Sequence, residues 1–197
     1  MLAGGQSRRF DGQAKYLLAL AGNPMVDIVI NKLAAQVDQV FISVESHCAA
    51  LENRGLDQVV DPAPGHQGPL AGLYASMRYL VDCGPEEWLL LVPCDAPFLP
   101  ADLAKGLLHA AQSERKPGSV ACYKGEFQPT FSLWNISLLT ELQEAVEIEK
   151  LRGFKQFLQK VDLAIADWSP DRAGEPFFNV NNRDDLAQAE KMMAAAV

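Results

Sequence analysis

The chain has 197 residues, 49% of them hydrophobic, and 17 Lys+Arg against 25 Asp+Glu give it a formal net charge of −8. That length and apolar content suit one globular domain with its own core and exclude a disordered chain or a disulfide-stapled peptide. The acidic balance excludes general binding to nucleic acid or anionic membranes, which needs a basic face, and no signal peptide or apolar run of about 18 residues is present, so a soluble, reducing, cytoplasmic setting is expected.

The first residues, Met1-Leu2-Ala3-Gly4-Gly5, form a glycine loop with almost no strand ahead of it. A parallel α/β sheet normally feeds such a loop from a buried strand of about five residues. The expectation is therefore a chain that starts earlier, or a first strand cut unusually short. The segment LAGGQSRRFDGQAK (2–15) fits neither the dinucleotide fingerprint nor the P-loop. It still sets Arg8, Arg9 and Lys15 against Asp11 alone, a local cation cluster in an acidic protein. Gly4 and Gly5 let backbone N–H groups approach phosphate oxygens, so a small anionic ligand is one reading and a solvated surface loop the other.

Asn23 and Pro24 offer an N-cap and a first-position proline for a helix running to about Gln36. QVFISV (39–44) reads as a strand, Ser46 as the cap of a short helix, and DQVV (57–60) as the next strand. In DPAPGHQGPLAGL (61–73), Pro69 opens a helix through about Val81. Gly72 lies early in that helix at a cost of about 1 kcal/mol relative to alanine. A ligand passing close by explains that cost, and so does close packing. WLLLV (88–92) lacks polar alternation and reads as a central strand covered on both faces. VPCDAPFLP (92–100) then sets Asp95 just past the strand's carboxyl end, where open α/β sheets bind ligands, although a turn aspartate before a helix is the plainer alternative.

Pro100 starts a helix toward Gln112, followed by strands SVACY (119–123) and FQPTFSLW (127–134), helical stretches near 136–148 and 151–160, strand VDLAIADW (161–168) and a closing helix over 183–196. In FFNVNNRDDL (177–186), capping and the helix dipole account for one asparagine and for Asp184 and Asp185, which leaves the other asparagines open to a ligand. Cys48, Cys83, Cys94 and Cys122 form no C-x-x-C pair and read as reduced, buried thiols. His47, His66 and His109 have no catalytic or metal spacing. The absence of an evident general base suits a nucleophile that is already an anion, such as a phosphate monoester with second pKa near 6.

Taken in order, LAGGQSRRF...K (2–15), GPLAGL (68–73), PCDAPFLP (93–100) and FFNVNNRDDL (177–186) resemble the molybdenum cofactor guanylyltransferase family, a branch of the nucleotidyltransferase superfamily. The resemblance implies an α/β, Rossmann-like three-layer nucleotidyltransferase fold, with a mostly parallel central sheet and helices on both faces, in a single domain over 1–197. It also implies Mg²⁺-dependent, in-line transfer of GMP from GTP to the terminal phosphate of molybdopterin, with release of pyrophosphate. Molybdoenzymes and other cofactor-biosynthesis proteins would be the partners that receive the product. By motif, Leu2, Ala3, Gly4 and Gly5 resemble the nucleotide loop, and Arg9 and Lys15 the catalytic triphosphate cations. Asp61 resembles a nucleoside contact and Asp95 the Mg²⁺ ligand. Asn181 resembles a second metal-side or pterin-side contact near Asn179, with Gly68 and Gly72 lining the floor.

The sequence differs from the family pattern at the strand before Leu2, at Ala14 (usually acidic), at Ser43 (often an asparagine near the base) and at Gln128 (commonly histidine). These differences support two alternatives: a related transferase using CTP or a sugar phosphate, and a non-catalytic nucleotide- or pterin-binding protein.

Overall fold

The protein is described from a computed structural model covering residues 1–3, 15–60, 68–85, 87–169 and 174–195. A 3₁₀ turn (Lys15–Leu17) leads into a small hairpin of β1 (Ala19–Leu20) and β2 (Asn23–Pro24), then α1 (Met25–Ala34) and β3 (Ile42–Val44). α2 (Ala49–Glu52), β4 (Gln58–Val60), α3 (Pro69–Cys83), β5 (Trp88–Leu91) and α4 (Leu103–Glu114) follow. The outer part comprises β6 (Gly118–Tyr123), β7 (Glu126–Asn135), α5 (Leu139–Gln143), α6 (Phe154–Phe157), β8 (Ala164–Asp167) and α7 (Arg183–Ala195). Each of the six apolar runs read as strands overlaps one, β3 to β8, with β6 and β7 extending beyond theirs.

β3 pairs with β4 in parallel, while β5 and β6 both pair antiparallel with β7, and β6 pairs in parallel with β8. Residues 1–3 join these two sheets. Leu2 makes parallel bridges to Ser43 and Pro93. Its N–H donates to Val92 O at 2.8 Å and its carbonyl accepts from Cys94 N at 2.9 Å, while Ala3 N donates to Ser43 O at 2.9 Å. The order is β4, β3, residues 1–3, β5, β7, β6, β8, mixed rather than purely parallel because β7 runs against its neighbours. The short opening stretch thus occupies a central strand position.

Two apolar clusters cover the two faces. On one, Val26, Val29 and Leu33 of α1 meet Leu103 and Leu107 of α4. On the other, Leu70, Leu73 and Met77 of α3 pack with Trp134, Phe154 and Phe157. Leu89 and Leu91 of β5 join the second cluster, and Trp88 and Leu90 pack against the first, so this strand is covered on both sides as its composition demands. Between Val120 and Ala121 the β7 partner jumps from Ser132 to Gln128, so Pro129 to Phe131 bulge out. Phe131 is fully buried.

Local signals are honoured unevenly. Pro69 does open α3 at a first-turn position. Asn23 does not cap α1: Pro24 holds that position, and the Asn23 amide donates to Ala21 O across a tight turn in which Ala21 and Gly22 have φ of 50° and 81°. Ser46 is not the cap of α2, whose N-cap is Cys48, tied through both backbone groups to the Gln58 side chain. α4 starts at Leu103, three residues after Pro100, whose carbonyl accepts from Leu103 N. The 136–148 stretch divides into a 3₁₀ turn, α5 and a π-helical turn over Glu144–Ile148. The helix expected over 151–160 shrinks to α6. Cys83 is exposed rather than buried, because it is the last residue of α3. No helix among the described residues is long and apolar enough to cross a membrane.

A Cβ on Gly72 would come within 2.8 Å of Leu2 Cδ2 and 2.9 Å of Ser43 Oγ. Overpacking of this kind typically costs about 1–3 kcal/mol, against a helix-propensity gain of about 1 kcal/mol. Gly72→Ala is therefore expected to lower the urea midpoint of unfolding. An unchanged midpoint would mean that the sheet yields to α3.

Candidate active site

Asp95 lies four residues past the end of β5 and is 6% exposed. An ionised carboxylate at that depth needs a partner. Lys15, at the head of the 3₁₀ turn, supplies one: its ammonium forms an ion pair with Asp95 Oδ2 and also donates to Asn181 Oδ1 at 3.2 Å. Tyr16, buried next to Lys15, anchors the turn through its hydroxyl, 3.4 Å from Cys48 Sγ. Three sequence-distant motifs thus meet at the carboxyl ends of the central strands.

The 177–181 segment is pinned by its apolar residues. Phe177 sits edge-on to Phe131 (4.8 Å between centroids), Trp168 (5.7 Å) and Tyr123 (6.1 Å). Phe178 meets Phe98 at 6.3 Å, and Val180 is buried with Leu20 and Met25. Val180 N donates to Asp95 O at 3.0 Å, which locks this segment alongside the carboxylate. Asn179 is half-buried and its Oδ1 is sealed from solvent without a hydrogen-bond partner among the described residues, whereas Asn181 is exposed at the mouth.

The asparagine that serves as a cap is Asn182. Its Oδ1 accepts from Asp185 N at 2.9 Å, and Asp185 Oδ2 accepts in return from Asn182 N at 3.1 Å and Asn181 N at 2.7 Å. This is a capping box with aspartate in the return position. Asn179 and Asn181 are left for other work.

Asp95 and Asn181 bring hard oxygen donors to one place, of the kind suited to a divalent cation that keeps water and phosphate oxygens in its remaining positions. Burial pushes the neighbouring Cys94 thiol up, and the charge of Asp95 adds to the shift. Cys94 therefore stays a neutral thiol.

The other expected site residues divide. Leu2 and Ala3 lie in the central strand leading toward the site. Ser43 is buried in β3, its hydroxyl facing Gly72, so these two residues together with Leu2 form one packing contact beneath the sheet. Gly68 has φ of 129°, and a Cβ there would lie 2.4 Å from Arg152 O, so backbone packing requires this glycine. Gln128 is half-buried at the end of β7 nearer Asp95. His47 is exposed, 3.6 Å from Glu52, and has the character of a surface residue. Gly4, Gly5, Arg8, Arg9, Ala14, Asp61 and His66 lie outside the described residues. Sequence reading missed the anchoring roles of Phe131, Trp168 and Phe177. The doubled Phe177-Phe178 ahead of the asparagines was the available signal. A cavity of about 480 Å³, lined by Phe41, Trp88 and Leu108 among others, lies at the opposite end of the strands from Asp95.

Residues 1–164 match the family model described as MobA-like NTP transferase domain. A protein named molybdenum cofactor guanylyltransferase from Rhodopseudomonas palustris (strain BisB5) is 34% identical over 193 residues, covering 98% of this chain and 91% of that one. One of the same name from Rhizobium meliloti (strain 1021) is 36% identical over 195 residues, covering 96% and 88%. In fold, the chain resembles the crystal structure of molybdopterin-guanine dinucleotide biosynthesis protein A from Archaeoglobus fulgidus, with a TM-score of 0.79 at 21% identity over 98% of this chain and 97% of that one.

Asp185→Ala removes the acceptor for two amides at the start of α7 and is expected to cost about 1 kcal/mol of stability in chemical denaturation, in line with other cap losses. No loss would mean that water replaces the carboxylate. In native protein a thiol reagent is expected to modify exposed Cys83 and to spare Cys94 and Cys122 until unfolding. Peptide mapping after alkylation reads this directly.

Proposed function

This chain belongs to the MobA-like NTP transferase family, and we infer from that membership that it is a molybdenum cofactor guanylyltransferase. It transfers GMP from GTP to the terminal phosphate of molybdopterin and releases pyrophosphate. The observation that carries the assignment of residues is the convergence of Lys15, Asp95 and Asn181 at the carboxyl ends of the central strands.

The acceptor phosphate is the nucleophile. Its second ionisation lies near pH 6, so at neutral pH it attacks as an anion and needs no side-chain base. In an in-line displacement its oxygen forms a bond to the α-phosphorus as the bond from that phosphorus to the pyrophosphate oxygen breaks. The residues present fit Mg²⁺, with Asp95 and Asn181 as its holders and Asn179 beside them. When bound, Mg²⁺ supplies charge neutralisation for the triphosphate and the departing pyrophosphate.

Lys15 balances triphosphate charge, and in this reading Arg9 and the amides of Gly4 and Gly5 do the same. Asp61 contacts the nucleoside, while Leu2 and Ala3 lead toward the site in the central strand. Gly72 shapes the floor indirectly, by letting α3 approach the sheet, where Ser43 supports the packing from below, and Gly68 does so by letting the start of α3 lie against the backbone of Arg152. The free thiols and the phosphorylated substrates suit a cytoplasmic, single-domain enzyme, whose product passes to molybdoenzymes.

The test is pyrophosphate release with Mg²⁺ and molybdopterin, offering GTP, CTP, ATP and UTP in parallel. Release with GTP alone is expected, and a preference for CTP would reassign the nucleotide. Asp95→Ala is expected to cut turnover by about a thousandfold, a loss of several kcal/mol of transition-state stabilisation, with an unchanged circular dichroism spectrum. Near-normal transfer by this variant would remove Asp95 from the metal site.

A further inference from the structure

Lys15 reaches the oxygens of Asp95 and Asn181, the same pair assigned above to the divalent cation. A side-chain ammonium and a doubly charged ion on one carboxylate–amide pair repel each other strongly, and screening is weak because Asp95 is buried. Lys15 holds Asp95 through Oδ2, so each cation weakens the other's hold on the pair. The 3₁₀ turn that carries Lys15 is anchored by buried Tyr16, so the exchange requires movement of the lysine side chain and not of the backbone. An unbranched four-carbon stem with a single charged head suits such a swing.

We propose that Lys15 is a displaceable counter-ion: it holds Asp95 and Asn181 in the metal-binding arrangement until the divalent cation arrives together with the nucleotide, whose phosphates then take the ammonium over. This deepens the guanylyltransferase reading and rests on its assignment of a triphosphate and a divalent cation to this site. Without the ammonium, Asp95 would be a buried, uncompensated carboxylate and the Asn181 side chain would be held, among the described residues, only by its 3.4 Å bond to Asn179 O. With it, the site rejects free metal and accepts the metal–triphosphate complex. Lys15 then acts twice, as a positioning residue before loading and as a phosphate contact afterwards.

The test is Mn²⁺ binding to nucleotide-free protein, followed by the paramagnetic resonance signal of free Mn²⁺ above pH 7. Wild type is expected to bind weakly. Lys15→Met is expected to bind Mn²⁺ at least about tenfold tighter, the change that follows when a competing charge leaves a largely buried pair, and to gain more thermal stability from Mn²⁺ than wild type does. Lys15→Gln, which keeps a donor for both oxygens but no charge, is expected to show the same tightening and guards against misfolding of the methionine variant. Adding Asp95→Asn to either variant should abolish the gain. The same single variants should bind a fluorescent GTP analogue more weakly than wild type.

Mn²⁺ affinity equal to wild type in folded Lys15→Met and Lys15→Gln would overturn the proposal, as would a gain that survives Asp95→Asn. The Mn²⁺ titration uses neither GTP nor molybdopterin. If wild type failed to release pyrophosphate from GTP, the functional reading would fall while the shared-oxygen result stood on its own.

Discussion

The architecture depends on the insertion of residues 1–3 between β3 and β5. Without Leu2 accepting from Cys94 and donating to Val92, and Ala3 donating to Ser43, the two sheets would share no backbone ladder. That insertion aligns the carboxyl end of β5, and therefore Asp95, with the turn that carries Lys15. It also explains the glycine in α3. The central strand and β3 present Leu2 and Ser43 to the helix, and only a residue without a Cβ lets α3 lie flat against them. Site and core are thus set by one small group of close contacts.

Much of this was legible in the sequence, and for physical reasons. A run such as Trp88–Val92 has no polar alternation, and burial on both faces is the arrangement that hides it all from water. Pro69 announces a helix because its missing N–H costs nothing in a first turn. Asp95 and Lys15 were identifiable as charges in unusual settings: an aspartate after the most apolar strand, and cations clustered in an acidic chain. Their meeting was not legible, since nothing local shows that residues 80 positions apart form an ion pair. Asn182 could not be told from its neighbours as the cap until the reciprocal bonds with Asp185 were seen.

The misplaced caps share one cause. Asn23 and Ser46 are good cap residues by type, but tertiary contacts assigned the positions elsewhere. A tight turn with two positive φ angles claims Asn23, and the Gln58 side chain holds both backbone groups of Cys48. The 136–148 segment reads as one helix because its apolar spacing is helical throughout. Packing of Leu138, Leu142, Ala145 and Val146 against α3 and the sheet is met instead by switching hydrogen-bond pattern twice.

The return bonds at the start of α7 have a consequence for local stability. Asp185 accepts from Asn181 as well as Asn182, so the residue at the mouth of the site belongs to the hydrogen-bonded unit that starts the last described helix. Ala189 is the one residue of that helix that is fully buried, with Leu186 and Met193 packed beside it at the edge of the same small apolar cluster. The bond from Asn181 to Asp185 couples the backbone at Asn181 to the first turn of α7 in local opening. A ligand on Asn181 would steady the first turn of α7 through Asp185, so hydrogen exchange at that turn would serve as a gauge of what the site holds.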